Sequence, residues 1–414
     1  MTTRMVCEKE RLDDLAVFGG NPAFDAPRHV GRPNLPPYER FAERMRQVFE
    51  RGWLSNHGPE VLQFEREIAR IAGTGHAVAM CNATIGLEVA IRALGMTGEV
   101  IVPSFTFVAT AHALAWQGIT PVFCDIAPGS HHIDPAQIES LITPRTTGII
   151  GVHTWGRACD IDALTEIAER RKLRLLFDAA HAFGCSHRGR PIGGFGDAEV
   201  FSFHATKFLN TFEGGAIVTN DAALASAVRS MTNFGFADYD HVISIGTNGK
   251  MSEASAAMGL VLLESMHDIV ASNRENYRCY ASGLRETPGL TLLDHDESAA
   301  LNFQYVVVEV DDEGAIHRDV LLEALHAENV LVRRYFYPGV HRMQPYRTTQ
   351  PGAGARLPCT ERLAQRVLVL PTGKAVNADD IGRICDIIRF CMANGREISA
   401  RLPRERLVIA KDLR

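Results

Sequence analysis

No CxxC pair occurs among the nine cysteines, which are scattered from Cys7 to Cys391. That spacing speaks against a zinc ribbon and against a disulfide framework, and it fits a reducing compartment. A basic block is also missing: 43 Lys and Arg stand against 49 Asp and Glu, for a net charge of −6, so no nucleic-acid partner is expected. The first residues, MTTRMVCEKERLDDLAVF, carry acids and bases where a signal peptide needs an apolar core. The most apolar stretch, near Ala254 to Leu263, falls short of the roughly eighteen residues that span a bilayer. A cytoplasmic protein with no membrane partner is the expectation. The 35 glycines and 19 prolines are close to average usage, which removes collagen-like and disordered readings, and no internal repeat is present.

What is there is ordinary globular composition, 46% hydrophobic and 22% charged over 414 residues. At roughly 150 residues per domain this suggests two or three domains. Residues 1–56 read as an irregular N-terminal arm with one helical pattern, Tyr38 to Glu50. Helices are then expected over Val61–Ala72, Ala83–Leu94, Val108–Gln117 and Asp160–Arg171. Between and after them lie short apolar runs: Ala77–Cys81, Glu99–Pro103, Pro121–Asp125, Gly148–His153, Leu173–Asp178, Ala198–Phe203 and Gly215–Thr219. Such alternation predicts an α/β sheet buried on both faces over 57–268, closed by a helix Met251–His267. Residues 269–414 change texture, with helices near Arg274–Arg285, Arg318–Glu328 and Asp379–Asn394 and strands Gln304–Val310 and Val330–Tyr335. They read as a smaller α+β domain.

In open α/β sheets functional groups gather past the carboxyl ends of strands. Three segments place polar residues there. Asn82, Ala83 and Thr84 open a helix, where they act either as a cap or as an anion site built on free N–H groups. Asp178 ends an apolar strand, as a cap or as a carboxylate awaiting a partner. Ser202, His204 and Lys207 follow another strand; a lysine there is commonly a snorkelling surface residue.

The order of these segments resembles the DegT/DnrJ/EryC1/StrS family of pyridoxal-phosphate-dependent nucleotide-sugar aminotransferases. SFHATKFLNTFEGGAIVTND resembles that family's lysine motif, DAAHAFG its aspartate motif, VPSFTFVATAHAL its aromatic segment and CNATIGLEVAI its phosphate loop. WLSNHGPEVLQFE, GTNGKMSEASAAMG and VRRYFYPGVHRMQPY complete seven ordered blocks between Trp53 and Tyr346. The resemblance implies an aspartate-aminotransferase (type I) fold, a large mixed-sheet α/β domain plus a smaller α+β C-terminal domain. It also implies a transaminase (EC 2.6.1 class) whose cofactor cycles between pyridoxal 5'-phosphate and its amine form.

Carried over residue by residue, Lys207 would condense with the cofactor aldehyde and shuttle a proton, and Asp178 would keep the pyridine nitrogen protonated. Phe107 and His181 match ring-contacting positions. Asn82, Ala83, Thr84 and Ser202 match the phosphate site, and His204 is a further family feature that is equally a satisfied turn histidine. Asn248 matches an asparagine that reaches the partner subunit's cofactor, which implies a homodimer with shared active sites; by itself Asn248-Gly249 is a turn signal. For the substrate, Asn56, Lys250 and Arg333 (with Arg334) would meet a diphosphate, unless they are solvated surface groups, and Tyr337 and His341 would line the sugar side.

The last block and GTNGKMSE resemble members that aminate C4 of dTDP-4-keto-6-deoxy-D-glucose with L-glutamate as donor, giving a dTDP-4-amino-4,6-dideoxy sugar. A C3 aminotransferase, an enzyme acting on a non-sugar ring ketone, and a non-catalytic regulator on the same fold remain the alternatives. A Rossmann oxidoreductase needs a GxGxxG turn that CNATIG does not supply.

Overall fold

The computed structural model describes residues 9–296 and 299–402. Cys7, the first eight residues of the expected arm, residues 297–298 and residues 403–414 of the expected small domain lie outside the described residues. Seven strands form the main sheet: β1 (His76–Met80), β2 (Glu99–Pro103), β3 (Thr120–Cys124), β4 (Thr146–Val152), β5 (Arg174–Asp178), β6 (Ala198–Ser202) and β7 (Gly215–Thr219). Across the sheet they run β1-β7-β6-β5-β4-β2-β3. Only β7 runs antiparallel to its neighbours β1 and β6, while the other pairings are parallel. The carboxyl ends of β1, β2, β4, β5 and β6 therefore share one edge.

Alternation of side chains explains why these runs read as continuously apolar. Ala77, Ala79, Ile149, Leu175 and Phe177 enter a core packed by helices α2 (Pro59–Ala72), α5 (Ile161–Arg171) and α7 (Glu253–Glu264). Val78, Met80, Ile150 and Leu176 enter the opposite core, under α3 (Ala83–Ala93), α4 (Ala109–Ala115) and α6 (Ala222–Thr232). Each fully buried aliphatic side chain contributes about 1.5–3 kcal/mol.

A second unit pairs strands β8 (Leu290–Leu292), β9 (Val306–Val310) and β10 (Val367–Leu370) antiparallel. Its core is closed by α8 (Met266–Leu284), α9 (Arg318–Ala327) and α10 (Ala378–Ala393). Two expected elements differ. The helix over Met251–His267 stops at Glu264, the axis bends by 63°, and α8 begins at Met266 rather than Arg274. The strand Val330–Tyr335 is two residues long, Val330–Leu331, and pairs in parallel with Arg28–His29 of the arm. Among the described residues no single helix is long and apolar enough to cross a membrane.

The arm is not loose. Leu12, Leu15 and Phe24 enter the core of the second unit. The fully buried carboxylate of Glu328 accepts the amides of Ala16 (2.8 Å) and Ala23 (2.7 Å) and lies 3.0 Å from Lys9 Nζ. Farther along, Asn34 donates to the Phe208 carbonyl (2.8 Å), and Asn210 donates to the Asn34 carbonyl (2.9 Å), so the arm crosses the loop that carries Lys207.

Removing the Glu328 carboxylate leaves two amides without an acceptor and takes the counter-charge from the Lys9 ammonium, which keeps only the Asp14 and Asn21 carbonyls. Glu328→Ala is expected to lower stability by about 3 kcal/mol and open residues 9–24 to protease, read by urea unfolding and limited proteolysis.

Candidate active site

Gly215 decides how tightly the site closes. It lies opposite both Met80 and Ser202 in the sheet register. A Cβ there would stand 2.8 Å from the Ala83 nitrogen and 2.8 Å from the Phe201 carbonyl oxygen. Without it the start of α3 drops onto the end of β6. Asn82 caps α3, its Oδ1 accepting the Ile85 amide at 2.9 Å. The amides of Ala83 and Thr84 have no acceptor among the described residues, and they form a helix N-terminus suited to an anion.

Asp178 ends β5 and is 6% exposed. Thr110 Oγ1 donates to its Oδ2 (2.8 Å) and the Ala180 amide to its Oδ1 (3.1 Å). Burial raises its pKa, opposed by these bonds and by the nearby Lys207 ammonium. No cation lies within ion-pair distance of it among the described residues, so a buried carboxylate here awaits a positive partner. Lys207 follows β6 by way of a turn, its amide donating to the His204 carbonyl. Its Nζ lies 3.0 Å from Tyr305 Oη. Burial lowers its pKa to about 8, against the pull of Asp178.

Beside the amine stands a stack of rings. His181 packs on Trp155 (centroids 5.9 Å apart) and on Phe336 (6.0 Å), with Tyr305 tilted against it at 4.4 Å. Burial and then the charge of Lys207 hold the His181 pKa well below the usual histidine value. The Trp155 amide donates to His181 Nδ1 (3.2 Å), which leaves the proton of the neutral ring on Nε2. Trp155 itself is at φ +64°, a left-handed conformation that a bulky residue adopts only under surrounding constraint. Part of that constraint is its indole N–H, which donates to His131 Nδ1 (2.8 Å); His131 Nε2 in turn faces Glu309 Oε1 (3.0 Å) on β9. An indole only donates, so His131 must accept at Nδ1 and donate at Nε2.

Phe107 is 57% exposed at the mouth. It lines a cleft with Arg333, Arg334, Tyr335, Phe336 and Tyr337. The Tyr337 ring is held between Arg318 (5.0 Å) and Arg334 (4.6 Å), and Arg334 bonds to Asp319 (3.1 Å). Arg333 is different: it lies over Tyr335 at 5.2 Å, and no carboxylate pairs with it among the described residues.

The structure thus brings together Lys207, Asp178, His181, Ser202, Ala83, Thr84, Phe107, Arg333 and Tyr337. Two expectations, for His341 and Lys250, need correction, and His204 and Asn82 take the plainer of their two expected roles. His341 does not line the cleft: it is 2% exposed, with Nδ1 on Ser104 Oγ and Nε2 on Glu361 Oε1, both at 2.7 Å. His204 turns outward, Nδ1 on Thr206 Oγ1 (2.8 Å) and Nε2 toward Glu213 (3.5 Å), as a turn histidine does. The side chain of Asn82 is spent on its cap. Lys250 sits beside Met80 rather than in the cleft, its ammonium on Asn233 Oδ1 (2.8 Å) and over Phe234 (4.6 Å). Asn56, at φ +62°, and Asn248 are exposed on loops. Thr110, Trp155, His131, Glu309 and Tyr305 were not foreseen. Trp155 stands past a strand end, where the strand-end rule finds it; Tyr305 and Glu309 come from the second unit and carry no such signal.

The residues fit a pyridoxal phosphate. They offer an amine of lowered basicity, a buried carboxylate lacking a cation, a ring platform and a helix N-terminus with free amides. Among the described residues no cluster of His, Cys, Asp or Glu could hold a metal. The model of the DegT/DnrJ/EryC1/StrS aminotransferase family matches residues 38–389. The chain is 36% identical over 366 residues to dTDP-4-amino-4,6-dideoxy-D-glucose transaminase of Shigella dysenteriae, covering 88% of this chain and 99% of that one. It is 34% identical over 370 residues to GDP-perosamine synthase of Caulobacter vibrioides, covering 87% and 97%. A solved structure of DesI in the presence of its TDP-sugar product superposes with a TM-score of 0.91 at 52% identity, over 94% of this chain and 99% of that one.

A lysine whose pKa is lowered to about 8 becomes a neutral nucleophile well below the usual lysine range. In the cofactor-free chain, Lys207 modification by an aldehyde should rise with pH through about 8, read by peptide mass spectrometry, while surface lysines respond only at higher pH.

Proposed function

The chain belongs to the DegT/DnrJ/EryC1/StrS aminotransferase family and is a pyridoxal-phosphate-dependent transaminase, and from that premise we propose that it moves the amino group of L-glutamate to C4 of dTDP-4-keto-6-deoxy-D-glucose. The product is then dTDP-4-amino-4,6-dideoxy-D-glucose. The observation that carries this reading is the cleft of Phe107, Arg333 and Tyr337, joined through Phe336 to the ring stack beside Lys207. Arg333, unpaired there, suits a sugar diphosphate, for which a guanidinium is a bidentate donor. The dTDP-sugar transaminase and DesI among the relatives support the same substrate class.

Bound at this edge, the cofactor supplies an aldehyde that carries the amino group and a ring that takes up electrons. Lys207 Nζ, as the neutral amine, would hold the cofactor and, when free of it, would take and return the proton at the substrate carbon. Asp178, its two oxygens fixed by Thr110 and the Ala180 amide, would hold the ring nitrogen protonated. His181, stacked on Trp155 and Phe336, would contact the ring, and Phe107 would cover the approach. The amides of Ala83 and Thr84, with Ser202, would hold the phosphate.

The working unit is a homodimer. Support comes from exposed apolar side chains in the matched blocks and the loop beyond α6, among them Trp53, Leu54, Phe234, Ile243 and Ile245, the last 74% exposed. Asn248, exposed on that same loop, would enter the partner's site. The eight described cysteines are free thiols, which supports a reducing compartment, the cytoplasm.

Lys207→Ala is expected to keep the fold and lose at least about 10⁴-fold in rate. Incubating the loaded wild type with L-glutamate should release 2-oxoglutarate in proportion to active sites, and NMR of the sugar product should place the amine at C4. An amine at C3 refutes the regiochemistry; no release of 2-oxoglutarate refutes the donor. Asp178→Asn, which keeps the size but drops the charge, should lower kcat by about 10²-fold or more while the melting temperature stays near that of the wild type.

A further inference from the structure

We propose that Tyr305 is a positioning residue for the amine: its phenol oxygen holds the ammonium form of Lys207 in place each time the lysine is free of the cofactor. This rests on Lys207 being the catalytic amine.

The geometry is direct. Tyr305 Oη is 3.0 Å from Lys207 Nζ, and the ammonium lies 5.6 Å from the centre of the Tyr305 ring. The phenol arrives from the second unit, one residue before β9, whereas Lys207 belongs to the main sheet. Tyr305 is itself fixed on both sides, tilted against His181 at 4.4 Å and edge-on to Trp155 at 5.4 Å. Its neighbour Gln304 accepts the Phe208 amide at 3.2 Å, tying the lysine loop to the same stretch of chain.

Among the described residues, the titratable groups that face Lys207 are Asp178 from β5, His181 from the segment after it, and Tyr305 from the second unit, with Tyr335 behind the phenol. His181 is neutral, held so by burial, and Asp178 has a task at the cofactor ring. Burial also drives the phenol pKa well above the usual tyrosine value, so the hydroxyl keeps its proton throughout. That leaves the phenol oxygen as the neutral acceptor suited to an N–H of the protonated lysine. A lysine that takes a proton from carbon becomes an ammonium in a dry pocket. A hydrogen bond to that charge lowers the cost of its formation and keeps Nζ pointed at the carbon to which the proton returns. No proton passes to the tyrosine; it accepts a bond and releases it.

Tyr305→Phe removes the oxygen and leaves the ring in its contacts with His181 and Trp155. In the full-length chain stripped of cofactor, trinitrobenzenesulfonate labelling of Lys207, followed by peptide mass spectrometry against pH, reads the lysine directly. The midpoint is expected to fall by about one pH unit in Tyr305→Phe, since the charged form loses its acceptor. In the loaded enzyme kcat should fall about tenfold with KM for the keto sugar unchanged, a split that mere loosening of the fold does not produce. An unmoved midpoint, or loss confined to KM, overturns the proposal. If Tyr305→Phe fails to fold, 3-fluorotyrosine at position 305 keeps the hydroxyl but weakens it as an acceptor; the midpoint should then fall by less, and no shift again overturns it. Full activity in Lys207→Ala would instead sink the lysine assignment on which this rests.

Discussion

One constraint governs the molecule: an amine and a carboxylate must be kept out of water at the same strand edge without neutralising each other beforehand. Lys207 and Asp178 feel one another's charge but are not in contact as an ion pair. Burial works against both charged forms, making the amine less basic and the carboxyl less acidic. Each is satisfied only in part, the carboxylate by Thr110 and the Ala180 amide, the amine by Tyr305. A pair left half satisfied is costly, and the rest of the fold serves to hold it so. Gly215 lets α3 close onto β6. The seven-stranded sheet, apolar on both faces, is stiff enough to keep strand ends in register.

The second unit is part of this scheme rather than an appendage. Through β9 it brings Tyr305 to the lysine, and Glu309 to the far end of the chain that runs through His131 to the Trp155 indole. Phe105, Ile126 and Trp155 of the sheet side pack in one core with Tyr305, Val307 and Phe336 of the other. Displacing the two units would disturb the amine, the ring platform and the cleft together. The arm adds a third tie, anchored on Glu328 at one end and crossing the lysine loop at Asn34 on its way to α1 (Tyr38–Arg51).

Much of the main sheet was legible in the sequence because its strands are buried on both faces and read as unbroken apolar runs. Lys207, Asp178 and Ser202 were legible for a related reason: a polar residue directly after such a run is held at a strand end by the backbone itself. The helix break at Ser265 was not, because α7 is apolar all round and its pattern shows no face to end. The strand at Val330–Leu331 was overestimated because its partner is the arm, and Arg333, two residues on, is drawn off by Val369 into a single bridge.

The residues drawn away from the site have a common physical cause. His341, His204 and Lys250 lie in matched blocks and carry chemistry-bearing side chains, yet each is consumed by a partner distant in sequence or set by a turn: Glu361 and Ser104, Glu213 and Thr206, Asn233. Which partner a flexible or two-sided polar group finds is decided by packing, and a motif records only that the residue is present. Tyr305 is the converse. It stands at the head of an ordinary apolar strand, with nothing around it to mark a reactive group, and gains its partner only when that strand docks against the sheet. For a site built where two units meet, the half borne on strand ends can be read from sequence, while the half that arrives across the interface becomes visible only in the folded chain.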